Sequence, residues 1–431
     1  MGLYEHLPYT NFHELNLDWM IKEIKRIAAI ADSLGDSIEE TVYKYISEHP
    51  ELFPFVTPQM FDADAGKIDH ESTDAIKKAL AAGVDVFLPT DHGEVYTVRS
   101  TIDIYEGYGK RLYGSAGVWR MPDGDGGYLR FKFVDSASGS TTPLFRLGPN
   151  VQGFTISDLR ISMGTANSGE EAGVGIDAIT SQYADRDVTL NNVQFVNATR
   201  AIDFVGRGLK VYNCEFNSCT MGVRINWLNG SSDSYGSRSI VFDACRWHSL
   251  TPTAIYVQSG HAYGLCVRNC FCDHGVRCLV RADEQAINWA ILNNMMEEAT
   301  ASGLNRYVIE LNGGADGCSI SGNVLAGKNS SNGPWNFIKL GGVSKNVAIN
   351  NNVVTAIQRD VIDINEATSA DYISIVGNVA DLTSSHAILR VTSSASTPTH
   401  FNISGNVSNV STRLGTSPVN SNISGNVDST T

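Results

Sequence analysis

The chain has 431 residues, of which 42% are apolar, which suffices for two or three average domains or for one elongated repetitive domain. Its 32 basic and 46 acidic residues give a net charge of −14 without a basic cluster, which argues against nucleic acid or an anionic membrane as ligand. Neither a membrane span nor a signal peptide is recognisable in the sequence, so neither membrane insertion nor general secretion is expected.

Residues 1–57 are predicted to form a helical segment. Asn16 and Asp18 can cap a helix whose apolar residues recur in steps of three and four up to Leu34, and a second helix is expected at about 37–47. This spacing fits either an amphipathic helix on its own domain or a short homomeric stalk.

The stretch from Leu7 to Trp19 resembles the opening of appendage proteins in tailed phages of Gram-positive hosts. The resemblance covers about a dozen residues, in an unusual order. It implies a virion protein that attaches to other tail or neck proteins through its N-terminus.

Residues 58–150 are predicted to be the entrance to a β-helix. The run 72–76, with Ala79, Leu80 and the strand-like 86–89, resembles the start of the pectate-lyase-like β-helix superfamily, which includes phage tailspikes and secreted polysaccharide lyases and hydrolases. The superfamily's usual Tyr-Gly-Ala opening is replaced here by residues 61–66. The resemblance implies a parallel β-helix over nearly the whole chain.

From residue 151 onward the composition changes, since 30 of the 33 asparagines lie there. One pentad of the type Ile-x-Gly/Asn-Asn-Val recurs five times, at 320–324, 349–353, 375–379, 403–407 and 423–427. Upstream, the first apolar position of the same register falls at Ile156, Leu190, Val211, Phe242, Val267 and Ile291. Residues 151–431 therefore read as about eleven repeating units of unequal length.

A column of side chains is expected to point inward, three places after the first apolar position of each unit. In chain order it reads Leu159, Val193, Cys214, Cys245, Cys270, Asn294, Asn323, Asn352, Asn378, Asn406 and Asn426. These asparagines are expected both to adopt the left-handed backbone of a bend and to hydrogen-bond along the stack. The cysteines of the column are expected to pack as small hydrophobic residues.

Units of about 25 residues with two or three short strands bury an apolar face only when they are stacked. The predicted fold is therefore an all-β, right-handed parallel β-helix with a short α-helical N-terminal segment. Leucine-rich repeats lack support because their Leu-x-x-Leu-x-Leu signature is absent.

An apolar stripe is predicted on the outside of this β-helix. The outward positions beside the inward column read Met295, Val324, Val353, Val379, Val407 and Val427. Such a stripe is best explained by burial against a neighbouring subunit, although valine is also simply favoured in strands. Similar tailspikes are homotrimers, so a homotrimer is expected.

Enzymatic activity is left open by the sequence. Glu310 and Asp363 lie on outward positions of second strands, two coils apart, near the carboxylate spacing of an inverting glycosidase. Lys339 lies between them, and alternating charges are also typical of a solvated strand face. Glu297 is the third acidic candidate, before an insertion. The acidic cluster of a calcium-dependent lyase and the motifs of polygalacturonases are missing.

Aromatic residues are the predicted contacts to sugar, because a flat ring stacks on the apolar face of a pyranose. Trp227, Tyr235 and Trp335 lie in insertions, and Tyr256 lies on an outward strand position. A structural role is the alternative for each of them. Trp247 and Trp289 fall on inward columns and are predicted to lie in the core.

No metal site or cofactor is predicted. Cys266, Cys270, Cys272 and Cys278 with two nearby histidines have a metal-like composition, but the register points the cysteines in different directions. Clustered cysteines in a chain without a signal peptide are also more typical of reduced thiols than of disulfides.

The prediction is therefore a virion tail appendage, made in the host cytoplasm, that binds a host-surface glycan. Hydrolysis of that glycan is an additional hypothesis. The alternatives are a non-enzymatic adhesin, a structural tail protein and, with less support, a secreted polysaccharide lyase.

Overall fold

The structure is a computed structural model. It describes residues 22, 25, 26, 29, 55–61, 71–88, 95–105, 111–114, 130–133, 142–148, 151–163, 174–178, 187–226, 237–248, 253–260, 262–273, 275–276, 278–297, 307–326, 336–357, 360–364, 367–382, 389–390, 399–408 and 421–428. Lys22, Lys25, Arg26 and Ala29 are helical and exposed, as expected for the first N-terminal helix. The rest of that helix, the second helix and the stretch from Leu7 to Trp19 lie outside the described residues.

The described residues form many short strands. The first nineteen are β1 (Phe55–Val56), β2 (Asp85–Leu88), β3 (Val95–Val98), β4 (Ile102–Ile104), β5 (Arg111–Gly114), β6 (Arg130–Phe133), β7 (Pro143–Leu147), β8 (Thr155–Met163), β9 (Val174–Ala178), β10 (Thr189–Val196), β11 (Arg200–Phe204), β12 (Lys210–Tyr212), β13 (Glu215–Asn217), β14 (Met221–Ile225), β15 (Ser237–Asp243), β16 (Arg246–His248), β17 (Thr253–Val257), β18 (Ala262–Arg268) and β19 (Phe271–Cys272). The next nineteen are β20 (Cys278–Ala282), β21 (Ala286–Ile287), β22 (Ala290–Leu292), β23 (Met295–Glu297), β24 (Tyr307–Leu311), β25 (Ala315–Asp316), β26 (Ser319–Ser321), β27 (Val324–Ala326), β28 (Asn336–Leu340), β29 (Gly342–Asn350), β30 (Val353–Ile357), β31 (Ile362–Asp363), β32 (Ala367–Val376), β33 (Val379–Leu382), β34 (Leu389–Arg390), β35 (Asn402–Ser404), β36 (Val407–Ser408), β37 (Asn422–Ser424) and β38 (Val427–Asp428).

A short helix, α1 (Thr73–Ala81), follows a 3₁₀ helix at Pro58–Phe61. Its apolar residues Ile76, Ala79 and Leu80 recur at helical spacing and are buried. The helix packs against β2 and β4, so it covers apolar side chains at the N-terminal end of the strand stack. No helix within the described ranges is long and apolar enough to cross a membrane.

All strand pairings of the described residues are parallel. They form a first sheet of 27 strands and a second sheet of eleven, the latter made of β4, β7, β9, β11, β14, β17, β20, β24, β28, β31 and β34. The chain alternates between the sheets as it winds. This arrangement confirms the predicted all-β parallel β-helix.

The predicted register between units is confirmed pair by pair. Each step from one first apolar position to the next coincides with a parallel residue pair, from Ile156 with Leu190 to Ile403 with Ile423. These residues are buried up to Ile403, whereas Ile423 is exposed.

The core is a narrow column between the two sheets. Phe195, Phe216 and Trp247 stack on consecutive windings, with ring centroids 5.4 and 5.2 Å apart. Trp247 and Trp289 are buried as predicted, and the cysteines of the inward column are buried among apolar side chains. Burial raises the pKa of the Cys214 thiol to about 12, so this cysteine is protonated at neutral pH.

The bend between consecutive strands differs from the prediction in one respect. The left-handed conformation belongs to the residue before the inward column, such as Asn293, Asn351 and Gly377, all with φ between 55° and 66°. The inward asparagines themselves serve as hydrogen-bonding groups. The two expected roles of asparagine are thus divided between neighbouring positions, because a left-handed residue turns the chain while the next residue points into the core.

Candidate functional site

The outward face of the second sheet carries one polar side chain per strand, stacked in register. We call this column the charged ladder. Its described side chains are Asp103, Arg146, Asp203, Arg224, Tyr256, Arg281, Glu310, Lys339 and Asp363. Neighbouring strands of a sheet lie about 4.8 Å apart, so ladder side chains on adjacent strands are within reach of each other.

Much of the charged ladder is buried, which corrects the expectation of a solvated face. Asp203 is 2% exposed, and Glu310, Lys339 and Asp363 are 7 to 8% exposed. Glu310, for example, lies between Arg281 and Lys339 of the adjacent windings, each 3.9 Å from its carboxylate. Arg224, Tyr256 and Arg281 are half-buried, so the middle of the ladder remains open to a ligand.

The first part of the ladder is organised around Asp203. Arg224 binds both carboxylate oxygens of Asp203, one of them from Nε at 2.8 Å. The Nε of Arg200 lies 3.2 Å from the same carboxylate. The buried carboxylate thus has a guanidinium partner on each of two sides, which compensates its charge.

The middle of the ladder contains Tyr256, the predicted sugar contact. Its hydroxyl donates a hydrogen bond to Asp283 Oδ2 at 2.5 Å, and the Arg281 guanidinium lies 5.3 Å from the ring centroid. Burial, followed by the hydrogen bond to Asp283, raises the pKa of Tyr256 to about 12. Burial alone would raise the pKa of Asp283, but hydrogen bonds from Tyr256, Asn312 and Arg281 outweigh it and lower that pKa.

The candidate catalytic carboxylates lie in the last part of the ladder. Glu310 is paired in register with Lys339, and Lys339 with Asp363, so the two carboxylates are two strands apart as predicted. Arg281 and Lys339 each approach Glu310 to 3.9 Å. The Tyr307 hydroxyl donates to Asp363 at 3.1 Å.

These surroundings differ from those of a glycosidase acid. Such an acid is usually kept protonated by an apolar or anionic neighbourhood, whereas Glu310 lies between two cations. Two strand steps correspond to about 10 Å, slightly beyond the inverting range, with an ammonium group between the carboxylates. The arrangement suits recognition of hydroxyl groups better than proton transfer.

The remaining predicted site residues are not brought to this cluster. Glu297 lies at the end of β23 in the first sheet and is exposed. Trp227, Tyr235 and Trp335 lie outside the described residues. Within the part of the chain that the structure describes, no group of three or more histidine, cysteine or acidic side chains is arranged to hold a metal ion.

Arg281 and Asp283, which complete the cluster around Tyr256, were not predicted from the sequence. β20 is the second strand of its unit, and this strand was not recognised in the sequence. Arg281 lies within β20, and Asp283 follows it directly. The alternation of Val280, Arg281 and Ala282 was the available signal, because it repeats the pattern of Ile255, Tyr256 and Val257 one winding earlier.

The predicted apolar stripe is exposed. Met295, Val324, Val353, Val379, Val407 and Val427 are paired in register on consecutive windings and are 37 to 55% exposed. Earlier in the chain the same column holds Arg160, Gln194, Glu215 and Arg246. Half-buried Phe271 occupies this column between Arg246 and Met295, so its apolar part spans seven windings, about 29 Å along the β-helix, and the stripe is the last six of them.

Comparison with solved structures supports the fold. The chain is similar to two structures of PfbA, a surface adhesin of Streptococcus pneumoniae, with TM-scores of 0.56 and 0.50 at 12% and 14% identity. The matches cover 82% and 86% of this chain and 91% and 99% of those chains. The chain therefore shares the parallel β-helix fold of these structures.

A tailspike is among the weaker structural matches of this β-helix. Tailspike protein 3 of bacteriophage CBA120 has a TM-score of 0.46 at 14% identity, over 85% of this chain and 59% of that one. No protein-family model matches the sequence, and no curated protein matches it.

Proposed function

We propose that this β-helix protein is a tail appendage of a phage, in which three copies stand side by side and bind a glycan on the host surface. The observation that carries the proposal is the exposed apolar stripe on a straight column of the β-helix. The N-terminal resemblance to phage appendages supports the virion location and attachment to tail or neck proteins through residues 1–57.

The stripe supports association of identical copies. It runs along one strand position of consecutive windings, so it is parallel to the axis of the β-helix. A rotation axis parallel to the stripe brings each of its residues next to the same residue of another copy, at every level. Apolar side chains such as Val353 and Val379 then leave water together.

The open middle of the charged ladder supports glycan binding. Arg224, Tyr256 and Arg281 are half-buried donors, fixed by contacts with Asp203 and Asp283. Held donors and acceptors beside an aromatic ring match the hydroxyl groups and the apolar face of a sugar. The PfbA structures are described as those of an adhesin, which is consistent with a β-helix that binds without cleaving.

The test uses the full-length protein and envelope polysaccharides purified from a panel of Gram-positive bacteria. We expect one polysaccharide to retain the protein while its size distribution stays constant during incubation. Retention by none of them would contradict glycan binding. A fall in polymer size that is abolished by Glu310→Gln or Asp363→Asn would instead assign hydrolysis to these carboxylates.

A further inference from the structure

A pair of stacked aromatic rings projects from two late windings of the β-helix. Tyr372 in β32 is 56% exposed, and His400, one winding later, is also exposed. Their rings are parallel to within 7°, with centroids 4.5 Å apart. The rings belong to neither the charged ladder nor the apolar stripe.

The backbone at this pair is held in an unfavourable conformation. Tyr372 and His400 have φ of 53° and 56°, in the left-handed region that bulky side chains avoid. They occupy a column of left-handed residues that otherwise reads Gly153, Asp187, Gly208, Ser239, Gly264, Asn288, Gly317 and Asn346. All of these except Ser239 are residue types suited to that conformation.

Packing does not explain the tyrosine, because most of its side chain is in solvent. An aromatic residue that breaks the local rule of its column without entering the core is more easily explained by function than by stability. The same argument applies to His400, although histidine tolerates the left-handed region better than tyrosine.

Asp371 fixes the polar edge of the pair. Its Oδ1 accepts hydrogen bonds from the Thr399 hydroxyl and from the backbone N–H of Tyr372 at 3.1 Å, and it lies 2.9 Å from Nδ1 of His400. These contacts, aided most by the Thr399 hydrogen bond, lower the pKa of Asp371. Among the described residues, Asp371 Oδ2, His400 Nε2 and the Tyr372 hydroxyl have no hydrogen-bonding partner.

We propose that Asp371, Tyr372 and His400 form a binding site for a neutral pyranose. The apolar face of the sugar stacks on the exposed ring surface, and its hydroxyl groups bond to Asp371 Oδ2 and His400 Nε2. The ionised carboxylate and the net charge of −14 disfavour sugars that carry carboxylate or phosphate groups. This inference rests on the proposed glycan binding and adds where a sugar unit is held.

The direct test measures saturation-transfer NMR of the full-length protein with methyl β-glucoside, N-acetylglucosamine and glucuronate. We expect signals from at least one of the two neutral sugars and none from glucuronate. Tyr372→Asn and His400→Asn should each reduce the signal about twofold, because this stacking surface is lost while the charged ladder is unchanged. Tyr105→Asn, which removes an exposed tyrosine near the N-terminal end, is the matched control and should leave the signal unchanged.

Stability separates a binding role from a structural role. Asparagine is the native residue at the equivalent position 346, so Tyr372→Asn should keep or raise the melting temperature. A lower melting temperature, or a changed oligomeric mass, in both variants would overturn the inference by making the pair a structural or subunit contact. Unchanged sugar signals in both variants would also overturn it.

Retention on envelope polysaccharide distinguishes this inference from the proposed function. If the unmodified protein is retained by no polysaccharide, the proposed function fails and the site fails with it. If the unmodified protein is retained and Tyr372→Asn is retained equally, the site alone fails. Weaker retention of Tyr372→Asn, with unchanged retention of Tyr105→Asn, supports both.

Discussion

Each pentad of the repeat contains two residues with different tasks. The third residue turns the backbone, and the fourth points inward and joins the windings. Asn352 shows this second task in full, because its Nδ2 donates to Ile320 O at 3.0 Å and to Asn378 Oδ1 at 2.9 Å. Its Oδ1 accepts from the backbone N–H and the side chain of Asn323, at 3.0 and 2.9 Å. All four bonds are inaccessible to water.

Replacing Asn352 by alanine should therefore destabilise the β-helix strongly. The change leaves buried donors and acceptors without partners, and we expect the free energy of unfolding to fall by about 3 kcal/mol. Guanidinium unfolding followed by tryptophan fluorescence measures the loss. Asn426→Ala is the control, because Asn426 is the last of the inward asparagines and is only half-buried. This substitution should lower the free energy of unfolding by about 1 kcal/mol. If both substitutions lowered the free energy of unfolding equally, burial of the asparagine could not be the cause of the loss.

At the scale of elements, some turns stack backbone directly on backbone. Gly314 has φ of 101°, and a Cβ there would lie 2.2 Å from the carbonyl oxygen of Val343 in the next winding. Gly405 also has a positive φ, of 63°, but a Cβ at that position would meet no atom within 4 Å. The first turn thus needs glycine for conformation and for space, and the second for conformation alone.

This difference predicts unequal effects of the same substitution. Gly405→Ala should lower the free energy of unfolding by about 1 kcal/mol, the strain of a left-handed alanine. Gly314→Ala should lower it by about 3 kcal/mol or more, because backbone atoms of the neighbouring turn must also move. Thermal unfolding monitored by circular dichroism compares the two. If Gly314→Ala is as stable as Gly405→Ala, the turn at Gly314 can make room for a methyl group without loss of stability, which would contradict this prediction.

The sequence predicted the strands of the first sheet better than the sites. The pentads fix the register because a shift by one residue would bring the inward Asn323 and Asn352 to the surface. The charged ladder was only partly recognised, since its unit around Arg281 carries no pentad. The contact between Tyr372 and His400 was missed because the two residues are 28 positions apart and neither belongs to a pentad. A repeat identifies the residues that every winding requires for folding. The residues of a binding site occur in only one or two windings and therefore depart from the repeat.

At the scale of the whole molecule, one outward column changes character along the β-helix. It is polar from Arg160 to Arg246 and apolar from Phe271 to Val427. Copies associated through this column would meet along the later windings and face water along the earlier ones. The charged ladder lies on the other sheet, so association through the stripe leaves its half-buried Tyr256 accessible to a ligand.

A charge placed in the middle of the stripe should separate the copies without unfolding them. Val379→Glu would bring like carboxylates together out of water, and each uncompensated buried charge destabilises association by about 3 to 5 kcal/mol. We expect sedimentation equilibrium to show a trimer for the unmodified protein and a monomer for Val379→Glu, with equal circular dichroism. Val343→Glu is the matched control, since Val343 is equally exposed but lies outside the stripe, and it should remain trimeric. A trimer that withstands Val379→Glu would mean that the copies meet through another surface, because the stripe could not then be buried between them.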